Sequence, residues 1–129
     1  MKRKREQWEF VGFVTTEMGA DLIVSFAIYK ADDPTDIESL TILRTPKFEQ
    51  FLYEWERGAC VSFEREPESD ERVLLRQAIY DSDAKCVTLR TDHRTYQLDV
   101  RKVEPTELSA MCRVLRKMNF DSSIQLTGV

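Results

Sequence analysis

The run Leu22 to Lys30 restricts this chain more than any other feature. Leu22, Val24, Phe26 and Ile28 share one parity, while Ile23, Ser25, Ala27 and Tyr29 share the other. A strand that is largely apolar on both faces needs cover on both sides, so it belongs in the middle of a roofed sheet. The preceding run, Trp8 to Thr16, is equally β-rich, with Trp8, Phe10, Gly12 and Val14 on one parity and Val11 and Phe13 on the other. Met18-Gly19-Ala20-Asp21 between the two reads as a hairpin turn.

After the central run, Ala31-Asp32-Asp33-Pro34-Thr35-Asp36 has the residues of a loop, and Ile37 to Arg44 reads as the third strand. The period then changes. Phe48, Phe51, Leu52 and Trp55 fall at i, i+3, i+4 and i+7, the spacing of one helical stripe. Thr45 suits the cap, Pro46 the first helical position, Glu49 the N-terminal dipole and Gly58 the end. Cys60 to Glu64 is a short strand, and the charged stretch from Arg65 to Glu71 is expected to be a mobile loop.

Arg72 to Tyr80, Lys85 to Thr91 and Thr95 to Val100 form a meander, with turns at Asp81-Ser82-Asp83-Ala84 and Asp92-His93-Arg94. Tyr96, Leu98 and Val100 face one way there, Gln97 and Asp99 the other. A second helix begins at Pro105 and carries Leu108, Met111, Cys112, Leu115 and Met118 at helical spacing, with Asn119 placed to end it.

These elements predict an α+β fold: a mainly antiparallel sheet of about seven strands, ordered three strands, helix, four strands, helix, with both amphipathic helices packed on the sheet. The 129 residues suit one domain over 8–120, preceded by a disordered basic N-terminus at 1–7 and followed by a flexible tail at 121–129.

Several chemistries are disfavoured. No apolar stretch approaches the ~20 residues that span a bilayer, and the basic Lys2-Arg3-Lys4-Arg5 is not followed by the apolar core of a signal peptide. Cys60, Cys86 and Cys112 are evenly separated and odd in number, which suits neither a disulfide framework nor a zinc site and points to a reducing, cytoplasmic compartment. His93 is the sole histidine and sits in a turn; Gly12, Gly19, Gly58 and Gly128 are isolated. Triads, multi-histidine metal clusters and Gly-rich nucleotide loops therefore have no material, and no catalytic, cofactor-binding or metal-binding residue is expected.

Two surfaces remain as binding candidates. The basic strand residues Arg44, Arg76, Lys85, Arg90, Arg94 and Arg101, with Tyr80 and Tyr96, could stack bases and hold a backbone, although Glu64, Asp81, Asp83, Asp92 and Asp99 are interleaved among them. The acidic loop Glu66 to Glu71 could dock on a basic partner. In strand order, the last half resembles the repeating unit of the Whirly and PC4-type single-stranded nucleic-acid-binding proteins, and seven strands with a terminal helix also resemble a pleckstrin-homology barrel. The net charge of −4 departs from what a nucleic-acid binder implies. The expected function is thus a non-enzymatic binding or regulatory domain acting through a protein interface, with another protein or a second copy in a homodimer. The alternative is a single-stranded nucleic-acid binder using Arg76, Tyr80, Lys85, Arg90, Arg94, Tyr96 and Arg101. Neither reading involves a membrane.

Overall fold

The two-sided apolar run becomes β2 (Leu22–Lys30), flanked by β1 (Glu9–Met18) and β3 (Asp33–Arg44) in a computed structural model that describes residues 8–30, 33–66 and 72–129. Leu22, Val24, Phe26 and Ile28 are at most 3% exposed, as the inward parity of a central strand requires. β1 does not keep a single parity. Its register shifts between Val11 and Phe13, so Val11 and Val14 both point into the core. Gly12 marks the bulge, and the ring of Tyr29 lies where its Cβ would be.

The remaining strands are β4 (Cys60–Phe63), β5 (Leu75–Asp81), β6 (Cys86–Thr91), β7 (Thr95–Asp99) and β8 (Gln125–Thr127). Together the described residues form one eight-stranded sheet in the order β4-β3-β2-β1-β7-β6-β5-β8. The sheet curls. Val61 N donates to Val73 O and Leu75 N to Ala59 O, both at 2.8 Å, and Cys60 bridges Leu74. The chain entering β5 is thus bonded to β4 from the far end of the strand order.

The sheet is mixed, which corrects the expectation of a mainly antiparallel one. β1 pairs with β7 in parallel through Glu9–Leu98 and Phe10–Asp99. This follows from the count: when seven strands alternate in direction, the last runs the same way as the first. β8, returning after the helix, is parallel to β5. A fraying tail was expected there, but a strand held by backbone hydrogen bonds needs few apolar anchors, and buried Ile124 supplies one. The expected disorder at 1–7, and most of the expected mobile acidic loop, fall outside the described residues.

The second expected helix is present as α1 (Pro105–Met118), with Pro105 at its start and Asn119 at its end. Leu108, Met111, Cys112, Val114, Leu115 and Met118 are buried in a core shared with all the long strands. α1 packs on β1 and β2. Beyond Phe10, β1 has no strand beside it on the β7 side, and there Glu107 Oε1 accepts the Val14 N–H at 2.8 Å. No helix among the described residues is long and apolar enough to cross a membrane.

The first expected helix is not formed, so among the described residues one amphipathic helix, not two, packs on the sheet. Pro46–Phe51 and Glu54–Glu56 are short 3₁₀ turns. Phe48, Phe51 and Trp55 are 56%, 77% and 73% exposed, whereas Glu49 is buried. The cause lies in β3. Leu40, Ile42 and Arg44 share its inward parity, so Arg44 carries a guanidinium into the interior at 1% exposure. Such a charge needs a paired carboxylate. Glu49 turns inward to meet it, and its neighbours Phe48 and Phe51 turn outward.

Candidate functional site

Two clusters of buried or half-buried charge lie along β3; the first is closed, and the second opens on a cleft of about 330 Å³ lined by Glu9, Arg65, Glu66, Arg94 and Tyr96. Arg44 donates Nε and Nη2 to the Glu49 carboxylate at 2.7 and 2.9 Å, Nη1 and Nη2 to Asp121 at 2.9 and 2.7 Å, and Nη1 to the Met118 carbonyl at 2.7 Å. All three guanidinium nitrogens are engaged, and the Phe120 ring covers its face at 4.1 Å. Burial alone would lower the Arg44 pKa, but the two carboxylates raise it above its ordinary value. Arg44 is therefore structural rather than part of a basic surface. Near the other end of β3, Arg65 binds Glu38 at 2.9 Å and Glu9 at 2.8 Å and lies over the Phe63 ring.

The structure does not gather the sequence-selected basic and aromatic residues on one face. Arg76 is paired with Asp92 at 3.0 Å, Arg94 with Glu66 at 3.3 Å and Arg101 with Asp99 at 2.8 Å. Tyr96 is buried and donates its hydroxyl to Glu66 at 2.9 Å; burial, then this carboxylate, pushes its pKa up. Arg90 is exposed on β6 between Gln77 and Thr95. Tyr80 and Lys85 lie elsewhere, beside α1 with Cys112 and Arg113.

Sequence reading missed the surface where cations remain without carboxylates. Arg113, Arg116 and Lys117 lie on the exposed side of α1, and Arg116 lines two clefts. One cleft, of about 360 Å³, holds Lys85 and Arg113. The other, of about 550 Å³, is walled by Leu22, Pro46 and Phe120 and rimmed by Lys47, Arg116 and Lys117. No Asp or Glu side chain among the described residues lines either one. The i, i+3, i+4 spacing of Arg113, Arg116 and Lys117 was the available signal.

The larger cleft adjoins the exposed aromatic arm. Pro46 and Lys47 open the arm, Lys47 Nζ sits 5.0 Å from the Phe48 ring centre, and Phe120 is itself 58% exposed. Further along, Tyr53 and Trp55 stack with ring centroids 4.6 Å apart and planes within 4°. Glu54 and Glu56 flank Trp55, so one arm supplies Pro46 and Lys47 to the basic apolar cleft and also carries an acidic aromatic knuckle.

Two of the three thiols are held in the unreactive form. Burial pushes the Cys60 and Cys112 thiols up, away from the thiolate that reacts. His93 is exposed in its turn, with its backbone N–H donated to Thr91 Oγ1. Among the described residues no three His, Cys, Asp or Glu side chains are grouped to hold a metal ion. No family model matches this chain, and no curated protein or solved structure matches it significantly.

Proposed function

We propose that the chain is a non-enzymatic binding or regulatory domain that acts through a protein–protein interface centred on residues 46–57. The observation that carries this reading is the exposure of Phe51 and Trp55, at 77% and 73%, beside Phe48 and Tyr53 at 56% and 66%. Contiguous exposed apolar surface of this kind marks interaction sites, and aromatic side chains are enriched at interface centres. The three free thiols, Cys60, Cys86 and Cys112, suit a cytoplasmic setting. The curled strand order with a helix after the seventh strand supports the pleckstrin-homology likeness. The order of the last half, β4 to β7 then α1, also supports the likeness to the Whirly and PC4-type repeating unit. Strand order by itself implies no activity.

Replacing Phe51 by a photo-crosslinking amino acid tests the interface. In cells, irradiation should trap discrete protein adducts there and not at Glu64, an exposed site away from the arm. Absence of any protein adduct at position 51 would remove the proposal.

One observation favours the nucleic-acid alternative: the cations around α1 lack carboxylate partners among the described residues. That reading moves the site from the sheet face to Lys85, Arg113, Arg116 and Lys117. Oligonucleotide binding that weakens steeply with salt, and with Arg113→Glu, would support it.

A further inference from the structure

We infer that the partner of the aromatic arm is a second copy of this chain: the Tyr53–Glu56 knuckle of each copy enters the Leu22/Pro46/Phe120 cleft of the other. The inference rests on the interface reading above and names its occupant.

Charge complementarity is the first ground. The cleft has apolar walls and a rim of Lys47, Arg116 and Lys117, with no carboxylate among its described lining residues. The knuckle has the inverse character: Tyr53 and Trp55 stack, Glu54 and Glu56 flank Trp55, and Glu56 Oε2 accepts the Tyr53 N–H at 3.2 Å. A long polyanion fits less well, because Glu54 and Glu56 beside the rings would repel it and the chain already carries a net charge of −4.

Size is the second ground. A cleft of about 550 Å³ falls within the range of about 300–1,000 Å³ that encloses compact ligands, which leaves room for a stacked ring pair. Each aromatic side chain buries about 150–250 Å². At 56–77% exposure, Phe48, Phe51, Tyr53, Trp55 and Phe120 together still have roughly 500–800 Å² to bury, which at its upper end matches the ~800 Å² per partner of a standard specific interface.

Symmetry is the third ground. Lys47, on the rim of the cleft, and Trp55, in the knuckle, lie eight positions apart on one arm. A two-fold axis then lets both contacts form at once and closes the assembly as a dimer.

The test is sedimentation of the full chain over a wide concentration range. The wild type should form a dimer that weakens with added salt. Trp55→Ala should raise the dissociation constant at least about tenfold. The pair Glu54→Lys/Glu56→Lys, which also removes the Glu56 acceptor of the Tyr53 N–H, and the pair Lys47→Glu/Lys117→Glu should each be monomeric, with circular dichroism checked against wild type. An equimolar mixture of the two double variants should dimerise again, since each acidic–basic contact is restored with its sign reversed.

A wild type that stays monomeric up to ~1 mM, variants that all stay dimeric, or a mixture that stays monomeric would overturn the inference. If the wild type is monomeric while crosslinking at position 51 traps another protein, self-association fails and the interface reading stands. If nothing is trapped, both fail.

Discussion

Arg44 and Asp121, 77 positions apart, are joined by two hydrogen bonds, Nη1 to Oδ1 at 2.9 Å and Nη2 to Oδ2 at 2.7 Å, which tie β3 to the chain just beyond α1. The same guanidinium grips Glu49 at the start of the aromatic arm. Removing Arg44 leaves Glu49 charged and buried without compensation. Arg44→Met should therefore lower the unfolding free energy by about 3–5 kcal/mol, measured by urea denaturation. Arg44→Lys should recover little, because an ammonium cannot serve two carboxylates in planar, two-pronged fashion. The double change Arg44→Met/Glu49→Met should recover much of the loss; an additive further loss would deny the pairing.

The Asp121 carboxyl gives a pH dependence of definite sign. Hydrogen bonds from Arg44, against a smaller effect of burial, hold its pKa well below the ordinary carboxylate range. A group depressed in the folded state contributes stability that is complete above its unfolded pKa of about 4 and is lost as pH falls toward the folded value. The wild-type urea midpoint should thus drop on acidification below about pH 4, and Asp121→Asn should drop less steeply. Parallel profiles would contradict this account of Asp121.

Gly12 is required by a neighbour rather than by its own backbone. Any Cβ there meets the Tyr29 ring, which Phe10 and Phe13 approach with centroids 6.4 and 6.5 Å away. Gly12→Ala should cost about 1–3 kcal/mol, and much less in a Tyr29→Ala background. Gly19→Ala, with open space around it, is the control and should be near neutral.

The Val14 N–H depends on Glu107 on the side of β1 that pairs with β7 only through Glu9 and Phe10 among the described residues. Glu107→Ala should cost about 1–3 kcal/mol, whereas Glu107→Gln, which keeps an acceptor oxygen, should cost less than half as much. Equal losses in denaturation would show that the acceptor is not what matters.

Most of the sheet was legible because strand parity and strand burial are the same property, as Leu22 to Ile28 show. α1 was legible because its stripe, its proline and its terminal asparagine all agree. The arm at 46–57 was misread. Phe48, Phe51, Leu52 and Trp55 have helical spacing, but spacing cannot say which side is buried when a charged residue competes for the interior. The signal was one strand earlier: an arginine in phase with Leu40 and Ile42 predicts a buried acid, and Glu49 is the nearest one downstream. The parallel contacts of β1 and β8 were illegible for a different reason. They depend on how far the sheet curls, which no local pattern encodes.

The exposure of the arm is the claim on which the functional reading depends, and urea denaturation of Phe51→Ser/Trp55→Ser, at a concentration low enough to keep the chain monomeric, tests it most directly. Rings that stand in water should be removable with an unfolding free energy within about 0.5 kcal/mol of wild type per site. A loss of about 3 kcal/mol or more per ring would place them in the core and contradict the account.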